Sequence, residues 1–121
     1  RVLKKGAIAV FIDAYAPGDA LYDPHVQAVE LLRDTSHVRD YTLAEWALAL
    51  EGAGFAIRAQ RTWQLRMDYP VWIARMRTPE VSARAIRALQ MAASAEVRAH
   101  FAIEPDGSFM LDIMMTEVAS A

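Results

Sequence analysis

Residues 6–13, Gly-Ala-Ile-Ala-Val-Phe-Ile-Asp, decide the class of fold. Positions 7–12 are apolar without interruption, and a glycine and an aspartate stand at the two ends. An apolar run of this length between turn-forming residues predicts a β-strand that is buried on both faces. Such strands usually belong to sheets that carry helices on both sides. The sequence therefore predicts an α/β fold.

Two capped helical patterns follow this strand. An Asp-Pro pair predicts the start of a helix over about residues 23–33. Thr42 and Glu45 have the spacing of a capping box, in which each side chain accepts a hydrogen bond from the other residue's backbone N–H. This predicts a second helix that ends at Gly52 or Gly54.

The rest of the chain predicts a strand, short helices and a hairpin. The strand covers residues 55–60 and extends toward Leu65, and short helices follow within residues 68–100. Residues 101–118 predict a terminal hairpin, because a Pro-Asp-Gly-Ser turn separates two apolar runs. We expect one domain over residues 1–121, with a small mixed sheet of about three strands plus the hairpin, packed with helices. As an isolated unit it would be classed α+β.

Composition excludes several classes of function. The net charge of the 121 residues is −2, and the basic residues are scattered, which argues against a nucleic-acid partner. The longest apolar run is far too short to cross a membrane. Cysteine is absent, and the sequence has no H-x-x-x-H pattern that His25 or His100 could join, so no metal site is predicted. We expect a cytoplasmic protein without a membrane partner.

Residues 34–40, DTSHVRD, carry polar side chains that helix capping does not explain. His37 is a candidate substrate contact or general base, and the alternative is a structural hydrogen bond to the backbone or to Asp34. Arg39 could bind a carboxylate or phosphate, and its alternative is a salt bridge to Asp34 or Asp40.

Two further pairs are candidate substrate-binding residues. Asp13 and Tyr15 follow the first strand, and ligands of open α/β sheets bind outside the carboxyl ends of strands. Asp13 could equally cap a local turn. Tyr69 and Trp72 lie on a predicted short helix that could cover an acceptor pocket, although an aromatic pair at this spacing is more often part of a core.

Several motifs resemble those of one enzyme family. Residues 2–8, VLKKGAI, are similar to a "VLKPGG" turn and strand, and residues 32–39, LRDTSHVR, to an "LRDPSHVR" segment. Residues 41–46, YTLAEW, and 53–55, AGF, look like the start and stop of the helix that follows. The chain resembles the C-terminal, substrate-side half of class I S-adenosylmethionine-dependent methyltransferases, in particular the type 11 family related to ubiquinone and menaquinone methyltransferases.

The resemblance implies a Rossmann-like fold and methyl transfer from S-adenosylmethionine to a small-molecule acceptor. The family binds the cofactor with a glycine-rich loop, which this sequence lacks, so no cofactor-binding residue is assigned. We therefore expect a C-terminal fragment that is inactive alone, in which Asp13, Tyr15, His37, Arg39 and Trp72, together with Tyr69, contact the acceptor. No residue is assigned a catalytic role.

A fragment of this kind has a physical consequence. The apolar strand at residues 7–12 would lose its neighbour and become a template for pairing between molecules. We expect a homo-oligomer, a dimer or larger, through this strand or through a swapped element. The alternative function is a non-catalytic α+β module for ligand binding or dimerisation.

Overall fold

The computed structural model describes residues 6–37 and 39–120. Within these residues the strands and helices follow the predicted order up to the terminal hairpin. The elements are β1 (Ile8–Ala14), α1 (Asp23–Arg33), α2 (Leu43–Gly52), β2 (Phe55–Met67), α3 (Tyr69–Arg75), α4 (Glu80–Ala92), α5 (Ala95–His100) and β3 (Phe109–Ser120). The VLKK part of the first family motif and Val38 of the second lie outside the described residues.

The sheet of the described residues has three strands in the order β1-β3-β2. β3 is central, and both neighbours run antiparallel to it, with Phe11 opposite Thr116 and Trp63 opposite Ile113. The predicted fold class is confirmed, with a sheet of three strands in the described residues. The sheet is antiparallel throughout and not mixed, because β1 and β2, which run in the same direction, are separated by β3.

β1 is an edge strand, and the prediction that it is buried on both faces is wrong for the described residues. Ala9 and Phe11 pack on one face, whereas Ile8, Val10 and Ile12 on the other are 51–64 % exposed. The side chains of a strand alternate between its faces, so a continuous apolar run needs a cover on each side. Here one face of β1 is covered, and the other is covered only at its end, where Ala14 packs against buried residues.

The predicted terminal hairpin is also wrong, since residues 101–104 form no strand. Phe101 is the C-cap residue of helix α5 and is 1 % exposed, so its ring is part of the core. Ala102 has a φ of +45°, in the left-handed region, so the backbone leaves the helical path after α5 and is not extended at this residue. The predicted turn does form, with the Glu104 N–H donating to the Ser108 carbonyl at 2.8 Å.

Two apolar clusters lie on opposite faces of the sheet. β3 contributes Phe109, Leu111 and Ile113 to one and Val118 to the other, as alternation along a strand requires. The larger cluster joins these residues to α1, α3, α4 and α5, and the smaller joins Val118 to α2 and the start of β2. Buried members of the larger cluster on the helices and the turn after α5 are Val26, Val29, Trp72, Ile86, Val97 and Phe101.

Helices α2, α3 and α5 begin with side-chain caps, whereas α1, predicted to start with Asp23 as its cap, has Tyr22 at the N-cap position and no side-chain cap hydrogen bond. Thr42 and Glu45 form the capping box of α2, and Asp68 and Ser94 accept from the backbone at the starts of α3 and α5. These polar residues are therefore structural. Of the helices in the described part of the chain, none is long and apolar enough to cross a membrane.

Candidate functional site

A cavity of about 550 Å³ lies between one face of the sheet, helices α1 and α3, and the loop after α1. It brings together four of the six candidate residues, namely Asp13, His37, Arg39 and Trp72. Its walls differ in character. The sheet supplies an apolar wall of Ile12, Trp63, Leu65, Met67, Leu111 and Ile113, and α1 and its loop supply a polar one.

Glu30 is the most deeply buried charged residue of the polar wall. It is 8 % exposed, on the inward side of α1 with Val26 and Val29. Burial raises the pKa of Glu30 well above that of a free carboxyl, and a hydrogen bond with the Asp40 carboxyl raises it further. Two ionised carboxylates can only accept hydrogen bonds, so this contact requires a proton on one of them.

Gln27 organises the loop that carries Asp40 and His37. Its Oε1 accepts from the Asp40 N–H at 3.0 Å, and its Nε2 donates to the Asp40 carbonyl at 3.0 Å. These two bonds define the orientation of the amide group. His37 Nε2 lies 3.2 Å from the same Oε1 and must therefore be the donor. In the neutral ring Nδ1 then has a free lone pair, and it lies 3.6 Å from Glu30 Oε2.

Arg39 lies at the rim of the cavity and pairs with a residue that the sequence analysis did not suggest. Its guanidinium forms an ion pair with Glu45 and lies over the Tyr41 ring, 5.5 Å from the centroid. The suggested salt bridges to Asp34 and Asp40 are not the ones found. An exposed pair of this kind contributes little to stability, so Arg39 could release Glu45 to bind an anion.

Asp13 and Trp72 line the cavity in different ways. Asp13 is exposed, and its Oδ1 also accepts from the Ala14 N–H at 2.8 Å, as the turn-capping alternative expected. Trp72 is 2 % exposed and packs edge-on against Phe109, with the Arg33 guanidinium 4.8 Å from its ring centroid. Trp72 is therefore a core residue that also forms part of the cavity wall.

The two tyrosine candidates are not among the residues that line this cavity. Tyr15 lies near Asp112 and Thr62, and its pKa is raised by burial and by the charge of Asp112. Tyr69 packs on the larger core cluster, and its hydroxyl donates to the Ala83 carbonyl at 2.8 Å. The core alternative describes Tyr69 best.

The sequence analysis did not identify Glu30 and Asp40 as site residues. A signal existed for Glu30, which follows Val26 by four positions and so belongs to the buried stripe of α1. No local signal marks Asp40, because its placement depends on the fold of the loop. The completed cavity suits a small molecule with an apolar body and a polar or anionic group.

Two curated proteins resemble the chain over most of its length. The uncharacterized protein YafE of Escherichia coli K12 is 42% identical over 121 residues, which are 100% of this chain and 58% of YafE. The uncharacterized methyltransferase YcgJ of Bacillus subtilis 168 is 36% identical over 103 residues, which are 85% of this chain and 41% of YcgJ. No protein-family profile matches the chain.

Solved structures show the same fold. The crystal structure of YcgJ superimposes with a TM-score of 0.87 at 32% identity, covering 99% of this chain and 53% of YcgJ. The crystal structure of the putative methyltransferase BH2331 of Bacillus halodurans C-125 superimposes with a TM-score of 0.88 at 26% identity, covering 98% of this chain and 58% of BH2331. The chain therefore shares a methyltransferase fold, and it spans about half the length of these relatives.

Proposed function

We propose that the chain is the C-terminal, substrate-side half of a type 11 S-adenosylmethionine-dependent methyltransferase that acts on a small-molecule acceptor in the cytoplasm. One observation carries the proposal. A chain with a methyltransferase fold has a cavity that gathers Asp13, His37, Arg39 and Trp72, which were selected from the sequence for acceptor binding.

The residues of this chain suit an acceptor better than they suit the cofactor. A cofactor-binding loop would be a glycine-rich turn between a strand and the helix that follows it. Among the described glycines Gly18 alone lies in such a connection, between β1 and α1, and one glycine does not make a glycine-rich loop. S-Adenosylmethionine, the methyl donor, would therefore be held by another part of the enzyme.

In this proposal the acceptor is oriented by the two walls of the cavity. The apolar wall excludes water and holds the body of the acceptor, while Arg39 at the rim binds an anionic group. His37 Nδ1 and the carboxyl of Asp13 are the groups that could accept a proton from the acceptor. Their contribution is mainly one of position, since methyl transfer requires the acceptor atom to be aligned with the donor.

Binding of S-adenosylmethionine distinguishes this proposal from a free-standing binding module. Calorimetry would measure the binding of S-adenosylmethionine to the 121-residue chain and to the complete product, meaning the protein encoded by the complete reading frame. We expect the complete product to bind the cofactor and the 121-residue chain to show no measurable binding. The Arg39→Ala variant of the complete product serves as a control, because its cofactor affinity should be unchanged.

Binding by the 121-residue chain alone would contradict the proposed division between acceptor and cofactor. A complete product that fails to bind would contradict the methyltransferase assignment and favour the module.

We further propose that the isolated chain forms a homo-oligomer by pairing β1 with a second copy. The two edge strands of the sheet, β1 and β2, differ in charge. β2 carries Arg58, Arg61 and Arg66, whereas β1 has no charged residue before Asp13. Charged side chains on an edge strand oppose pairing between molecules. The exposed side chains of Ile8, Val10 and Ile12 would also be covered by such an association.

Light scattering of the isolated chain tests the role of β1. The molar mass measured for the wild-type chain is expected to be a multiple of 13.5 kDa, and that of Val10→Lys is expected to be the mass of the monomer. Leu48→Lys is the matched control, because Leu48 is 72 % exposed on α2, away from the sheet edge. A monomeric wild type, or equal dissociation by both lysines, would disprove pairing through β1.

A further inference from the structure

The carboxyl groups of Glu30 and Asp40 and the His37 ring converge on one point of the cavity wall. One nitrogen or oxygen atom from each lies within 4.8 Å of the other two. The residues come from α1 and from the loop that follows it, seven and three positions apart along the chain. Such a spacing corresponds to no metal-binding motif, and only the fold of the loop brings them together.

Two features of this cluster indicate a positively charged ligand. Asp40 Oδ2 is buried and receives no hydrogen bond from an N–H or hydroxyl group, and the Glu30 carboxyl beside it is 8 % exposed. Two carboxyls in contact require a proton or a cation between them, so a bound cation would replace the proton that the Glu30–Asp40 contact otherwise needs. The Arg33 guanidinium is close enough to favour the charged form of Glu30, but it forms no ion pair with it, and its Nε donates to the Trp72 carbonyl at 2.9 Å.

The His37 ring is already oriented as a ligand would be. Its Nε2–H donates to Gln27 Oε1, and Gln27 itself is held by the backbone of Asp40. Histidines that bind metals usually donate the other ring N–H in this way, which defines the tautomer and directs the free lone pair at the ion. The separation of 3.6 Å between His37 Nδ1 and Glu30 Oε2 suits two ligands of one ion at about 2.1 Å each.

We propose that Glu30, His37 Nδ1 and Asp40 bind a divalent transition-metal cation of the Zn²⁺ or Mn²⁺ class. One nitrogen and two oxygen ligands favour these ions over Ca²⁺ and Mg²⁺, which prefer oxygen ligands alone. Three protein ligands leave coordination positions open to the cavity, where an oxygen of a bound molecule could occupy one. The site requires only this chain, so it goes beyond the proposed function; with a cation on His37 Nδ1, the Asp13 carboxyl is the remaining proton acceptor named there.

Calorimetric titration of the chelator-treated 121-residue chain with ZnCl₂ and MnCl₂ tests the site, with CaCl₂ as a comparison ion. We expect one Zn²⁺ or Mn²⁺ per chain and at least a tenfold loss of affinity in His37→Gln and in Asp40→Asn. The control is His100→Gln. His100 pairs with Asp112 at 2.8 Å but belongs to no group of three ligands in the described chain, so this variant should keep wild-type affinity.

A second measurement does not depend on the folding of any variant. In ¹⁵N–¹H spectra of the wild-type histidine rings, Zn²⁺ should shift the Nδ1 signal of His37 and leave those of His25 and His100 unchanged. The proposal is wrong if no cation binds at 100-fold excess, if His100→Gln weakens binding as much as His37→Gln, or if the shifted ring is not His37.

Discussion

Replacement of Trp72 by alanine is expected to lower the free energy of unfolding by about 3–5 kcal/mol, the usual cost of removing a buried aromatic side chain. The Trp72 ring is 2 % exposed and meets Phe109 edge-on at a centroid distance of 5.0 Å. Its loss leaves a void between α3 and β3 that the surrounding side chains can fill only in part. Total stabilities of single domains are about 5–15 kcal/mol, so this loss is a large share.

Urea unfolding followed by circular dichroism measures this effect, with Trp63→Ala as the control. Trp63 lies on β2 and lines the same cavity, but it is 36 % exposed, so its removal should cost less, about 1–2 kcal/mol. Equal losses in the two variants would show that Trp72 is not packed as described. The comparison also separates the two roles of Trp72, because both variants enlarge the cavity but only one damages the core.

Gly107→Ala is expected to destabilise the chain by about 2–4 kcal/mol through backbone strain and a steric clash. Gly107 has a φ of +97°, and a Cβ there would lie 2.8 Å from Arg87 Cδ and 2.9 Å from Tyr69 Cγ. Neither neighbour is free to move away. The Tyr69 hydroxyl is bonded to the Ala83 carbonyl at 2.8 Å, and Arg87 Nη2 donates to the Pro105 carbonyl at 2.6 Å.

Gly54→Ala separates the strain from the clash. Gly54 has a similar φ of +93°, but a Cβ there would meet nothing within 4 Å. Its substitution should therefore cost only the conformational strain, about 1–2 kcal/mol. Thermal unfolding of both variants would measure the difference. If Gly54→Ala destabilises the chain as much as Gly107→Ala, then the contacts of Gly107 contribute nothing.

The candidate site combines residues that differ in how far the sequence could identify them. His37 and Arg39 stood out because capping does not explain the polar residues around them. Glu30 lies within an ordinary amphipathic helix, and its importance comes from the loop that folds over it and brings Asp40 near. Tyr15 and Tyr69 were selected by the same reasoning as Asp13 and Trp72, yet the structure places them outside the cavity lining.

The sequence by itself determined the order of the elements, because capping boxes, glycine stops and apolar periodicity act over a few residues. It also identified four of the residues that line the cavity, Asp13, His37, Arg39 and Trp72. The tertiary structure alone decided that β3 lies between β1 and β2, that Phe101 enters the core and forms no hairpin strand, and that Glu30 meets Asp40 and His37. These features depend on contacts between residues distant in the chain or on the path of a loop, and no local pattern of side chains specifies either.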